Sequence, residues 1–188
     1  MAKSISALKE KRSLILSFGS VIICLICFWV LEKNLGAQVL DMLPHYDLDA
    51  VKTYFVAYGD EGRSCYGWAI LTLDILFPIA YVAFLVGVIS LLSDSTGWFS
   101  WLITLPIMLG TIDLFENVQI FLMLNQYPQI TETQVNLASN TTAIKHHMSG
   151  VIFVCMIVLS MSKLAIEGIK TDRNGEAAAR GIFWNRDN

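Results

Sequence analysis

Four apolar runs, separated by polar segments, constrain the fold of this chain more than any other feature. They lie within residues 13–31, 65–92, 98–124 and 141–163. A helix needs about 20 predominantly apolar residues to cross a bilayer. Because a membrane-spanning chain must satisfy its own backbone hydrogen bonds, such runs are expected to be helices. The sequence therefore predicts an all-α fold, a bundle of four transmembrane helices in a single domain over residues 1–188.

The composition points to a membrane protein. Hydrophobic residues make up 55% of the 188 residues and charged residues only 15%, whereas soluble domains carry about 25% charge. The net charge of -3, with no glycine-rich phosphate loop and no basic-aromatic array, argues against nucleic-acid binding. The expected partners are membrane lipids, together with a small-molecule ligand or another membrane protein.

The charge distribution predicts the orientation in the cell membrane. The first run is longer than the core of a cleaved signal peptide, so we expect an uncleaved first helix. Nine of the thirteen basic residues lie near the termini: Lys3, Lys9, Lys11, Arg12, Lys163, Lys170, Arg173, Arg180 and Arg186. The other four are Lys33, Lys52, Arg63 and Lys145. The positive-inside rule then places both termini of this multi-pass protein in the cytoplasm.

A short amphipathic outer helix is predicted after the first span. Asp47 is placed to cap its first turn, and Gly59 to end it. Its apolar side chains recur at the spacing of one helical face: Val51, Tyr54, Phe55 and Tyr58. Such a helix would lie in the membrane interface or over the mouth of the bundle. The alternative is a helix that only fills space between spans.

The last span is less clearly marked than the others. Its strongly apolar part, Met148–Met161, is shorter than a relaxed span, so residues 142–147 must also enter the membrane. Residues 125–140 are polar and are predicted to form a loop. Residues 164–188 are predicted to be a cytoplasmic tail, disordered from Asn174 onward.

Acidic and amide side chains interrupt the second and third spans. Placing Asp in a bilayer core costs roughly 2.5–3.5 kcal/mol, so such groups usually mark function. Asp113, Glu116 and Asn117 are spaced to share one helical face. In the second span Pro78 lacks an N–H, which leaves the carbonyl of Asp74 without its helical partner. The polar residues of both spans are therefore candidates for one site.

Helical rise indicates that these groups meet. At about 1.5 Å per residue, Asp74 lies roughly 27 Å from Leu92, and Glu116 about 26 Å from Phe99. A similar distance separates a histidine of the last span from its inner end. The predicted ligand or proton site comprises Asp74, Asp113, Glu116, Asn117 and His146. The predicted mouth comprises Arg63 and Lys145.

Structural and metal-binding alternatives stay open for this cluster. Asp74 could pair with Lys145 or Arg63 and lock two helices together, or Lys145 could snorkel to the outer surface. Asp113, Glu116 and His146 are ligand types suited to zinc, iron or manganese. Yet His146 and its neighbour His147 point about 100° apart on a helix, so neither a metal nor any other cofactor is predicted.

Three motifs resemble a family of small bacterial four-span membrane proteins. They are G-x-x-G-R-x-x-Y from Gly59, L-D-x-x-F-P from Leu73, and D-x-x-E-N from Asp113. The resemblance covers residues 58–128. It implies no established activity, but it singles out Gly59, Gly62, Arg63, Asp74, Pro78, Asp113, Glu116 and Asn117.

The leading functional hypothesis is an outward-facing pocket within the membrane that binds a small polar ligand, an ion or a lipid headgroup, with proton exchange as an optional feature. A second hypothesis is a lipid-modifying or hydrolytic membrane enzyme with Asp113 or Glu116 as general base. A third is a non-catalytic accessory or assembly subunit. Enzymatic activity is thus left open by the sequence.

Overall fold

The fold was analysed in a computed structural model that describes residues 10–93 and 100–184. Its four long helices are α1 (Lys11–Leu35), α2 (Leu48–Ser93), α3 (Thr104–Gln126) and α4 (Glu132–Trp184). Two short 3-10 helices cover Leu40–Met42 and Ser100–Ile103. The described residues contain no strand. The predicted all-α four-helix bundle is confirmed.

All four helices are long and apolar enough to cross a membrane. Large apolar side chains point away from the bundle on every helix, for example Ile23, Trp68, Phe115 and Val154. An apolar surface of this extent is not tolerated in water but is solvated by lipid tails. Half of the most apolar stretch of α3 is buried, against 17% in α1 and 11% in α4. The protein is therefore a multi-pass membrane protein with α3 at its centre.

Two glycines with positive φ interrupt the helical structure between α1 and the second span. Gly36 (φ 67°) ends α1, and its N–H bonds the carbonyl of Glu32 at 3.1 Å. Asp47 accepts a hydrogen bond from the N–H of Ala50 at 2.8 Å, as predicted for an N-cap. Gly59 (φ 65°, ψ -179°) breaks α2 in a region open mainly to glycine. The predicted outer helix, residues 48–58, is confirmed.

Residues 36–58, called the cap below, cover the end of the bundle where α3 ends and α4 begins. The apolar stripe of the outer helix faces inward, with Val51 and Phe55 fully buried. The cap contributes to one hydrophobic cluster with α1, α2, α3 and α4. Members from across this cluster are Leu35, Leu40, Tyr46, Phe55, Ile120, Met123 and Val135. The predicted position over the mouth of the bundle is thus what the packing shows.

Two predictions about the last helix were wrong. Residues 132–140 are not a loop, because α4 already begins at Glu132. The hydroxyl of Thr131 accepts from the N–H of Gln134 at 3.3 Å, and Gln134 Oε1 accepts from the N–H of Thr131 at 3.0 Å. This capping box fixes the helix start. The segment predicted to be disordered from Asn174 continues α4 as far as Trp184. The sequence Ser93-Asp94-Ser95-Thr96-Gly97 also predicts a tight turn between the second and third spans, and residues 94–97 of it lie outside the described residues.

A smaller hydrophobic cluster, built around Ile89, Leu102 and Leu159, lies at the opposite end of the bundle. Between the two clusters α2 and α3 approach closely at Gly110. A Cβ at Gly110 would lie 2.7 Å from Val82 Cγ2, so only glycine permits this contact. The polar residues of the third span lie beside this close approach.

Candidate functional site

Lys145 of α4 lies between two carboxylates of α3. Its Nζ is 3.1 Å from Asp113 Oδ1 and also forms an ion pair with Glu116 Oε2. The two acids share one face of α3, as their spacing predicts. The side chain of Glu116 is fully buried, and that of Lys145 is 14% exposed. Lys145 therefore does not snorkel to the surface, and it lies inside the cluster rather than at a mouth.

Two hydroxyl groups bond the carboxylates of this ion pair, and a third bonds one of those hydroxyls. Thr142 donates to Glu116 Oε1, and the hydroxyl of Tyr46 lies 3.2 Å from Thr142 Oγ1. Burial raises the pKa of Tyr46, so its phenol stays protonated and can act as the donor. Tyr81 donates to Asp113 Oδ2 at 3.0 Å. The Lys145 network therefore joins the cap to three helices; its members are Tyr46, Tyr81, Asp113, Glu116, Thr142 and Lys145.

Asp74 of α2 has a different environment. It is 4% exposed, and its carboxylate makes no hydrogen bond or ion pair with any described residue. Its backbone carbonyl accepts a hydrogen bond from Asn117 Nδ2 at 2.8 Å. The Asn117 amide thus supplies the hydrogen bond that the Asp74 carbonyl would otherwise lack, because Pro78 has no N–H. Neither Lys145 nor Arg63 pairs with Asp74, so the structure does not show the predicted ion-pair lock between helices.

Asp74 is one of the residues that line a cavity of about 360 Å³ within the bundle. This volume falls in the range of small-molecule sites. The polar part of the wall contains Asp41, Asp74, Tyr81, Asp113, Lys145 and His146. The rest of the wall is mainly apolar and includes Leu25, Phe28, Leu85, Ile152, Phe153 and Met156. The cavity therefore has a polar end and an apolar end.

The polar end carries more acidic than basic groups. Asp41 of the cap accepts a hydrogen bond from Tyr66 at 3.0 Å, a neutral partner. Lys145 is the ammonium of the cavity wall, and it already contacts two carboxylates. His146 Nδ1 donates to the carbonyl of Thr142 at 2.9 Å, which leaves Nε2 as an acceptor in the neutral ring. This arrangement favours a cation over an anion.

Arg63 belongs to another part of the molecule. Its Nη1 donates to the carbonyl of Phe55 at 2.6 Å, and its guanidinium lies 4.5 Å from the ring centroid of Tyr127. It also pairs with the exposed carboxylate of Asp60. Arg63 thus joins the outer helix to the end of α3 and is not part of the cavity. Among the described residues no three His, Cys, Asp or Glu side chains are placed to hold a metal ion.

Sequence analysis did not single out several members of this site. Thr142 lies three residues before Lys145, and this i, i+3 spacing on α4 could have indicated it. Tyr81 lies seven residues after Asp74 and could have been found in the same way. Tyr46 and Asp41 are cap residues, so no helical periodicity links them to the spans. Their placement depends on the tertiary fold of the cap.

The fold and the cavity define a class: a four-helix, multi-pass membrane protein with an acidic cavity between its helices. No protein-family model, no curated protein and no solved structure matches the chain. The resemblance of its motifs to small bacterial four-span proteins therefore stays a prediction.

Proposed function

We propose that the protein binds a positively charged group of a small molecule or lipid headgroup at the polar end of this cavity. The observation that carries the proposal is Asp74, which lines the cavity and is 4% exposed, and whose carboxylate has no partner among the described residues. An uncompensated buried carboxylate is unfavourable. An ammonium group or a proton would neutralise it, which also accommodates proton-linked exchange.

The Lys145 network supports this function by holding the site in shape. A carboxylate with an ammonium and hydroxyl partners is fixed in position. We propose that Asp113 and Glu116 position Lys145 and the cavity wall, and that Asp74 meets the ligand. The ligand would then gain binding energy by pairing with the Asp74 carboxylate in a wall that the Lys145 network already holds in place.

The orientation of the site follows from the basic residues. Because nine of thirteen lie near the termini, we infer that both termini are cytoplasmic. The cap and the polar end of the cavity then lie toward the outer side of the membrane. This orientation gives the cavity access to ligands of the outer leaflet.

Equilibrium binding of radiolabelled butylamine tests the proposal. Purified protein in lipid nanodiscs should bind more butylamine than empty nanodiscs. Loss of a charged hydrogen bond is worth about 1.5–3 kcal/mol, so Asp74→Asn should weaken binding at least tenfold. Asp60→Asn removes the same charge at a side chain that is 95% exposed and should leave binding unchanged. Equal binding by wild type and Asp74→Asn would contradict the proposal.

A further inference from the structure

The walls of the cavity belong to helices that leave a lateral gap. Leu25 and Phe28 of α1 form one side, and Ile152, Phe153 and Met156 of α4 form the other. Along the described residues α1 packs on α2, whereas α1 and α4 do not pack closely against each other. Two of the lining side chains are also substantially exposed, Leu25 by 41% and Phe153 by 67%. The cavity therefore faces the lipid between α1 and α4.

The cavity is elongated along the helices. From Asp74 to Leu85 on α2, and from Lys145 to Met156 on α4, the wall extends over eleven residues, or roughly 16 Å. The acidic groups occupy the end next to the cap, where Asp41 forms part of the wall. Charge is thus concentrated at one end, and the remaining length of the wall is mainly apolar, with Ser149 as a polar side chain.

This asymmetry matches one type of occupant. We propose that the ligand is an amphipath with an ammonium head and a single hydrocarbon tail, which enters the cavity from the bilayer through the gap between α1 and α4. The inference rests on the proposed function, because it places the head beside Asp74. The tail would lie against Leu25, Phe28 and Phe153. The volume of about 360 Å³ suits a head with one tail.

Two sources supply this chemistry, a free long-chain amine and a phospholipid with an amine headgroup and a single acyl chain. A hydrophilic cation would use the same carboxylates but would gain nothing from the apolar wall. The dependence of affinity on tail length therefore distinguishes an amphipathic ligand from a small cation. The lipid composition of the nanodisc separates the two sources.

The test compares butylamine with dodecylamine by equilibrium dialysis, with empty nanodiscs subtracted to remove partitioning into lipid. Each buried methylene is worth about fourfold in affinity, so dodecylamine should bind at least 100-fold more tightly. Equal binding of both amines, with both lost in Asp74→Asn, would overturn the tail inference and leave the proposed function standing. Failure of both amines to bind the wild type would overturn both the tail inference and the proposed function.

Substitutions in the gap give a matched pair. Leu25→Trp narrows the cavity and should weaken dodecylamine binding at least tenfold while changing butylamine binding less than twofold. Ile26→Trp places the same ring on an adjacent residue that is 56% exposed and is not part of the cavity wall, so both affinities should stay unchanged. Equal effects of the two variants would overturn the proposed route.

A second pair covers the case in which Leu25→Trp does not fold. Ser149→Phe narrows the cavity from α4, and Val151→Phe is its lipid-facing control. The same pattern of affinities is expected. Finally, lysophosphatidylethanolamine, a phospholipid with one acyl chain, added to the nanodisc should compete with dodecylamine if the natural ligand is a phospholipid. An unchanged affinity in that lipid assigns the site to a free amine.

Discussion

Lys145 Nζ of α4 lies 3.1 Å from Asp113 Oδ1 of α3, where both side chains are largely buried. The same ammonium also pairs with Glu116. Removing one partner of a buried ion pair leaves an uncompensated charge, whereas removing charge from both sides is tolerated. The contact between α3 and α4 therefore depends on the balance of these charges.

Lys145→Met should destabilise the protein by about 3–5 kcal/mol, because two buried carboxylates lose their counter-ion. The measurement is the midpoint of thermal unfolding in detergent. Lys52→Met removes the same charge from an exposed position of the cap and should change the midpoint little. A Lys145→Met protein as stable as the Lys52 variant would show that the pair contributes nothing to the fold.

Thr142→Val should cost about 1–3 kcal/mol, because Glu116 Oε1 and the hydroxyl of Tyr46 both lose a buried partner. Thr133→Val, on the same helix but exposed, is the control with the same change in side chain. The two variants are compared by denaturant unfolding in a lipid mimetic. A difference below 0.5 kcal/mol, a threshold typical of surface substitutions, would count against the Lys145 network.

Arg63→Lys should destabilise by about 1–2 kcal/mol although it keeps the charge. Lysine cannot hold the carbonyl of Phe55 and the ring of Tyr127 with one planar group. Asp60→Asn should have almost no effect, because an exposed ion pair is worth little. If the Asp60 variant is the less stable of the two, the ion pair rather than the planar contacts explains the role of Arg63.

Gly59→Ala should destabilise by about 1–2 kcal/mol, since the backbone of Gly59 (φ 65°, ψ -179°) strains a residue with a Cβ. Gly150→Ala should instead stabilise by up to about 1 kcal/mol, because Gly150 is helical and a Cβ there meets no atom within 4 Å. Both changes are read from thermal unfolding. Shifts of the same sign would contradict the helix break at Gly59.

The orientation is tested with reporters that are active only in the cytoplasm. A reporter fused after Asn188 should be active, because the positive-inside rule places both termini there. One inserted at Gln129, in the connection between α3 and α4, should be silent. Activity at Gln129 would reverse the inferred orientation and place the cavity toward the cytoplasm.

Local signals in the sequence predicted much of the fold. The spans follow from apolar length, and the outer helix from the Asp47 cap, its apolar stripe and Gly59. The start of α4 lies in the polar segment 125–140, whose composition predicts a loop, although Thr131-x-x-Gln134 within it is a capping-box pattern. Capping satisfies the backbone regardless of how polar the surrounding segment is.

The site was less predictable than the fold. Shared helical faces brought Asp113 and Glu116 to one side of α3, but periodicity cannot say which basic group lies opposite them. Which basic residue lies opposite these acids depends on the orientation of α4 about its own axis relative to α3, and in the structure that residue is Lys145. The contact between Tyr46 and Thr142 joins residues 96 positions apart, so it is set by the folding of the cap over the bundle. Long-range contacts of this kind leave no local pattern.

The cap also bears on the route by which the proposed ligand would reach the cavity. Val39, Asp41 and Met42 of the cap form part of the cavity wall at the capped end, whereas the proposed route through the gap between α1 and α4 leads from lipid. A molecule that first dissolves in the bilayer searches a two-dimensional sheet and reaches the gap at a rate set by its density in that leaflet. Occupancy would then follow membrane content rather than the dissolved concentration.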